Sequence, residues 1–188
     1  WRRARESGRG ILAVTGHYGN WELLGAWLAS LGSDVTVLYH PFREERLDRW
    51  VARRRLRGGV RIVSAEARSP AALRVLQRGG VLGILLDRVP RSGGVRCRFF
   101  GRECRATEGP ARLALAAGVP ILPSMLRYEG RGFRARFAAP ITLENAGQVE
   151  EVTQRLTSVL EEWIREAPEQ WPWFEDRWKV RSAARKSG

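Results

Sequence analysis

Lysine is almost missing from this 188-residue chain: Lys179 and Lys186 stand against 33 basic residues in all, so the rest are arginine. Its cations are therefore permanently charged planar forks, shaped for phosphate and carboxylate, and not amines that shift their charge readily. Cysteine is as scarce. Cys97 and Cys104 lie seven residues apart, with no CxxC and no companion histidine cluster. That argues against a disulfide scaffold and against a zinc site, and it fits a reduced, cytoplasmic setting. Long apolar runs are absent too. Segments 80–86 and 113–126 are short or broken by Gly and Pro, whereas a membrane span needs roughly 20 apolar residues. No signal peptide is visible. The chain opens on Trp1 without a methionine, so it reads as truncated at its N-terminus, and the expectation is either peripheral membrane association or an anchoring helix in the missing part. No internal repeat or linker interrupts it. We expect one domain over residues 1–181 and a disordered tail over 182–188.

What is present is a globular composition, 44% apolar and 28% charged. The net charge of +13 and pI near 11.3 call for anionic partners: nucleic acid, anionic lipid or an acidic carrier. Charge alone does not choose among them.

The hydrophobic pattern alternates between two periods. Apolar runs at 11–15 (ILAVT), 35–39 (VTVLY), 60–64 and 81–86 (VLGILL) read as buried strands. Between them lie predicted helices at 20–31, opened by Asn20, at 44–57, very basic, and at 69–78, with Ser69 as cap and Pro70 in the first turn. Residues 88–105 are rich in Arg and Gly, with one strand-like stretch at 95–100. A helix at 108–117 follows, then a hairpin of strands 121–127 and 133–138. Residues 149–166 form the best amphipathic helix, with Val149, Val152, Leu156, Val159, Leu160 and Trp163 on one stripe. Strands alternating with helices predict an α/β fold: a layered, mostly parallel central sheet flanked by helices, with a late hairpin.

Only two imidazoles exist, His17 and His40, and an imidazole is the natural general base near neutrality. His17 follows a buried strand directly, in Gly16-His17-Tyr18-Gly19-Asn20-Trp21-Glu22, where a parallel sheet usually binds its ligand. Glu22, five residues on, falls in the first turn of the next helix, where a carboxylate can turn back and hold the imidazole. His40 and Glu45 share that spacing and position, and an acid there can simply complement the helix dipole. Context favours His17: Gly16 and Gly19 let backbone approach a ligand closely, while His40 runs into Pro41 and alternating charges.

GHYGNWELLGAW resembles the His-(four residues)-acid signature of the bacterial lipid A biosynthesis acyltransferase family, within the wider lysophospholipid acyltransferase group. LLDRVPRSGGVRCRFFGRECRATEGPARLALAAGVPILPSMLR resembles that family's second block, and PEQWPWFEDRWK at 168–179 its C-terminal signature. The likeness covers roughly residues 10–180. Glu175 stands where the family often has histidine, and Arg88 where Gln or His is common; the first motif and the Asp87-Arg88 pair are also similar to those of the mycobacterial phosphatidylinositol mannoside acyltransferases. These departures leave the acceptor lipid open.

The resemblance implies a glycerol-3-phosphate acyltransferase-like fold and a membrane-associated O-acyltransferase at the cytoplasmic face of the inner membrane. It would need no cofactor, with acyl carrier protein or coenzyme A thioester as donor and a lipid A precursor or related glycolipid as acceptor. His17 would be the general base and Glu22 its partner. The Gly19-Asn20 turn is expected to offer backbone N–H groups to the oxyanion. Phosphate binding is expected of Arg57, with Arg55 a rival in a loose register, and substrate contacts of Asp87 and Arg88. Glu108, Gly109 and Arg112 match a Glu-Gly block that contacts acceptor phosphate, although an acid opening a helix is an equal reading. A thiol nucleophile at Cys97 or Cys104 is not part of the implied mechanism. The rival classes are a basic nucleic-acid-binding protein, for which no signature is present, and an inactive membrane-surface adaptor of the same fold.

Overall fold

The computed structural model describes residues 1–6, 8–65, 70–90 and 93–178; the expected Ser69 cap and the 182–188 tail lie outside them. A short helix α1 (Arg2–Glu6) precedes β1 (Ile11–Thr15), α2 (Trp21–Ser30), β2 (Val35–Tyr39), α3 (Glu45–Arg57), β3 (Val60–Ser64), α4 (Pro70–Gln77) and β4 (Val81–Leu85). A two-stranded hairpin, β5 (Val95–Phe99) and β6 (Arg102–Ala106), comes next. Then follow α5 (Gly109–Ala117), β7 (Ile121–Glu129), β8 (Gly132–Phe137) and α6 (Val149–Glu166).

Six strands form the central sheet in the order β3-β2-β4-β1-β7-β8, parallel except for the antiparallel β8 at one edge. The alternation of side chains across a strand explains the layering. Ile11 and Ala13 of β1 face α2 and its Leu24 and Leu28. Leu12 and Val14 face the opposite layer, packing with Leu76 of α4, Ala111 and Ala114 of α5 and Leu156 of α6. Both faces of the parallel strands are covered, so β1 is apolar along nearly its whole length. A third cluster joins the β5–β6 hairpin to the C-terminal half of α6 and to Trp171.

The α/β architecture, the parallel sheet and the late hairpin are those the pattern predicts. Two elements were not expected. β6 (RECRA) hides only Cys104 and Ala106, the inward positions of a half-exposed strand, and α1 is five residues of mostly charged sequence. No helix among the described residues is long and apolar enough to cross a membrane.

Candidate active site

His17 sits in the turn between β1 and α2, at the carboxyl end of the sheet. Its Nδ1 lies 2.8 Å from Oδ1 of Asp87, which follows β4, the strand paired beside β1. The His17 backbone N–H donates to the other oxygen, Oδ2, at 2.7 Å, and the Trp171 indole N–H donates to the same oxygen at 3.0 Å. Asp87 is thus buried, 1% exposed at its side chain, yet both oxygens are partnered; the imidazole beside it keeps 21%. Burial alone would push the Asp87 carboxyl up. The hydrogen bond and charge of His17, the Trp171 indole and the His17 backbone N–H outweigh it and hold the carboxyl below its ordinary value. An ionised Asp87 accepts Nδ1–H and leaves Nε2 as the basic nitrogen.

Gly16 permits this approach: a Cβ there would stand 3.1 Å from Asp87 Oδ2 and 2.9 Å from Leu160. Trp21 and Phe174 meet the imidazole edge-on, with centroids 4.9 and 5.3 Å away. The segment after α6 closes over this arrangement. Gln170 accepts from the Gly19 N–H and, through its side chain, bonds both the N–H and the C=O of Tyr128. Glu175 accepts from the Val89 N–H at 2.9 Å and pairs with Arg88 at 2.9 Å, and Arg88 also lies over the Phe174 ring.

Several expected roles are corrected by these contacts. Glu22 does not hold the imidazole. From the first turn of α2 its carboxylate reaches sideways to α3 and takes a two-pronged bond from Arg55, at 2.6 and 3.0 Å. Asp87, expected to contact substrate, is instead turned into the protein against His17. The Gly19 and Asn20 N–H groups, expected as oxyanion donors, are taken by the carbonyls of Gln170 (2.9 Å) and Leu126 (2.7 Å). Gly19 has φ +59° and a Cβ there would meet the Leu126 carbonyl oxygen at 2.2 Å, so its glycine serves a close backbone crossing. Asn20 caps α2, its Oδ1 accepting from the Leu23 N–H at 2.9 Å. Arg57 is exposed at the end of α3; Arg55, its rival, is the one that turns inward. Glu108 and Arg112 pair with each other at 2.8 Å, one turn apart, and Gly109 starts α5 beside them. Arg88 is bound to Glu175 as described.

Between α2 and the sheet runs a narrow apolar slot of about 50 Å³, which His17 does not line itself; Trp21, whose ring meets the imidazole, stands in its wall. Trp21, Glu22 and Arg55 line it together with Leu24, Leu28, Val35, Val81 and two residues without side chains, Gly25 and Gly83. A wider groove of about 510 Å³ lies between α2 and α3 and shares Glu22, Arg55 and Val60 with the slot. The Glu22–Arg55 pair therefore stands where slot and groove meet. Arg55 also packs over the Tyr39 ring at 4.7 Å, and its Nη1 is buried without a hydrogen-bond partner.

Sequence reasoning had no means of pairing His17 with a residue 70 positions away. Nor does the sequence show that the indole N–H of Trp171, 84 positions on, reaches Asp87.

An imidazole held by a buried carboxylate at a sheet's ligand edge, one tryptophan away from an apolar slot, suits activation of a hydroxyl next to a hydrocarbon chain. The model of the bacterial lipid A biosynthesis acyltransferases matches residues 1–180, and the chain belongs to that family. It is similar to the phosphatidylinositol mannoside acyltransferase of Mycobacterium tuberculosis, 28% identical over 179 residues. It is also similar to that of Mycolicibacterium smegmatis, 26% identical over the same length. Each alignment covers 93% of this chain, which spans 56% and 59% of the two relatives' lengths.

Proposed function

We propose that this chain is the catalytic part of an O-acyltransferase that moves a fatty acyl group from a thioester to a sugar hydroxyl of a glycolipid. The observation that carries the reading is the His17–Asp87 pair, with Trp21 standing between the imidazole and the apolar slot. His17 Nε2 takes the proton of the acceptor hydroxyl as that oxygen bonds to the thioester carbonyl carbon. The tetrahedral intermediate then collapses: the C–S bond breaks, and the imidazolium returns the proton to the departing thiolate. Asp87 keeps the tautomer and balances the imidazolium charge. A positioned base of this kind contributes about 10²–10⁴-fold. The slot takes the acyl chain, with Glu22 and Arg55 at its mouth. The reaction needs no group beyond the acyl thioester, supplied by acyl carrier protein or coenzyme A.

The names of the relatives make a mannosylated inositol lipid the first acceptor to test, ahead of a lipid A precursor. Such acceptors reside in a bilayer, so we place the protein peripherally on the cytoplasmic face of the inner membrane.

Lipid mass spectrometry on cells expressing the parent protein, wild type against His17→Ala, tests the reading. One glycolipid should gain the mass of a single acyl chain with wild type alone. If both proteins fold and neither changes any lipid, the family's fold is here without its activity, and an adaptor role replaces this one.

A further inference from the structure

α3 differs from every other long helix in the fold: none of its thirteen residues is buried. Its inner side, toward the sheet, carries the partly covered Asp48, Val51, Ala52 and Arg55. The outer side follows helical spacing, with Arg46, Trp50, Arg53 and Arg57 in one row and Arg49, Arg54 and Leu47 beside it. The carboxylates nearby do not neutralise this face. Glu45 pairs with Arg49, and Asp48 turns inward to the Tyr39 hydroxyl and the Phe42 N–H. Glu44 caps the helix through the Arg46 N–H, and Glu22 holds Arg55. Arg46, Arg53, Arg54 and Arg57 keep no carboxylate partner among the described residues.

Amid these four cations Trp50 is 56% exposed, with Arg54 over its ring at 5.1 Å. Leu47, three residues before it on the same side of the helix, is exposed as well. A freely solvated basic helix has no use for a bare indole with an exposed leucine one turn before it. An indole ringed by guanidinium groups does suit a phospholipid headgroup layer: its ring sits at the boundary while the forks bind phosphodiesters.

We propose that the outer face of α3 is the surface on which this protein rests on an anionic phospholipid bilayer. The helix is far more polar than a span, so it lies in the interface and binds by charge with shallow apolar insertion. An acidic protein would match the arginines but give Trp50 and Leu47 no apolar phase. The groove between α2 and α3 begins at this face, with Trp50 and Arg54 in its wall, and ends at Glu22 and Arg55, where the slot opens. A lipid chain leaving the bilayer at α3 can therefore follow this groove to the slot. The docking face does not depend on the chemistry assigned to His17.

Co-sedimentation of the whole chain with phosphatidylcholine vesicles, with and without phosphatidylglycerol, is the test. Wild type should sediment with the anionic vesicles only, and less so as salt rises. Arg46→Gln/Arg53→Gln/Arg57→Gln should lower partitioning roughly a hundredfold, at about fivefold per arginine. Trp50→Ala should lower it several-fold with the arginines intact. Equal sedimentation of the triple variant and wild type, with circular dichroism and Tm unchanged, overturns the proposal. So does an unaffected Trp50→Ala protein that polyglutamate strips from the vesicles, which would point to an acidic protein partner. His17→Ala should bind vesicles like wild type. Intact vesicle binding with no acyl transfer from any preparation would remove the acyltransferase reading and leave this face standing.

Discussion

His17 is held by Asp87 and not by Glu22: the imidazole Nδ1 is 2.8 Å from an Asp87 carboxylate oxygen, while both Glu22 oxygens bind Arg55. Two carboxylates near one histidine thus have separate tasks. One holds the imidazole, and the other holds an arginine across the mouth of a slot.

Asp87→Asn should therefore cost kcat about 10²–10⁴-fold, because the amide no longer fixes the tautomer or balances the imidazolium. Glu22→Gln should act chiefly on KM for long acyl thioesters, through a loosened Arg55. Steady-state kinetics with a radiolabelled thioester separates the two. Matching kcat losses in both variants would return Glu22 to the imidazole.

Trp171→Phe removes an N–H from the Asp87 carboxylate and keeps an aromatic ring. The Asp87 carboxyl lies below its ordinary value in the folded protein, so its contribution to stability is present above the unfolded carboxyl value and is lost as pH falls through the folded one. Without the indole donor the folded value rises. The acid-unfolding midpoint should then move to higher pH, with a loss at neutral pH of about 1–3 kcal/mol. Acid titrations followed by circular dichroism that overlay wild type would deny the indole this role.

Gly25 lines the slot from α2, and a Cβ there would meet Val60 Cγ2 at 3.4 Å, an ordinary contact. Gly25→Ala should fold well, since alanine suits a helix interior better than glycine. It should also narrow the slot. We expect the ratio of kcat/KM for long over short acyl donors to fall roughly tenfold; an unchanged ratio would put the acyl chain elsewhere.

The two cysteines face each other across the β5–β6 hairpin, and both are buried. Burial, with the neighbouring Cys104, pushes the Cys97 thiol up to about 11. The folded protein holds that proton longer than the unfolded chain, so this thiol's share of stability is intact below about pH 9 and declines up to about pH 11. Native protein at pH 8 should leave a thiol reagent such as dithionitrobenzoate unreacted until denaturant is added. Prompt modification of native protein would contradict the burial of both thiols.

The layered fold was legible because β1, β2 and β4 are apolar runs that only a sheet covered on both faces requires. β6 was not, since RECRA hides two residues of five and its charges resemble a loop. His17 stood out by rarity and by following a buried strand. Its partner did not, because strand order is not written locally: β4 lies beside β1 only after three crossovers, through α2, α3 and α4, have formed. The five-residue spacing to Glu22 misled for a geometric reason. The first turn of α2 points that side chain along the helix layer toward α3, and not back over the turn.

The site is fastened by residues from opposite ends of the sequence. His17 and Asp87 are made early, whereas Gln170, Trp171 and Glu175, which secure the Gly19 turn, Asp87 and the Val89 N–H, are made more than eighty residues after Asp87. During synthesis the sheet and its base can assemble while these three are still to come. The nascent chain accordingly holds His17 and Asp87 before the indole N–H that completes the carboxylate's bonds exists, and the arrangement is finished only once residues 170–175 are made.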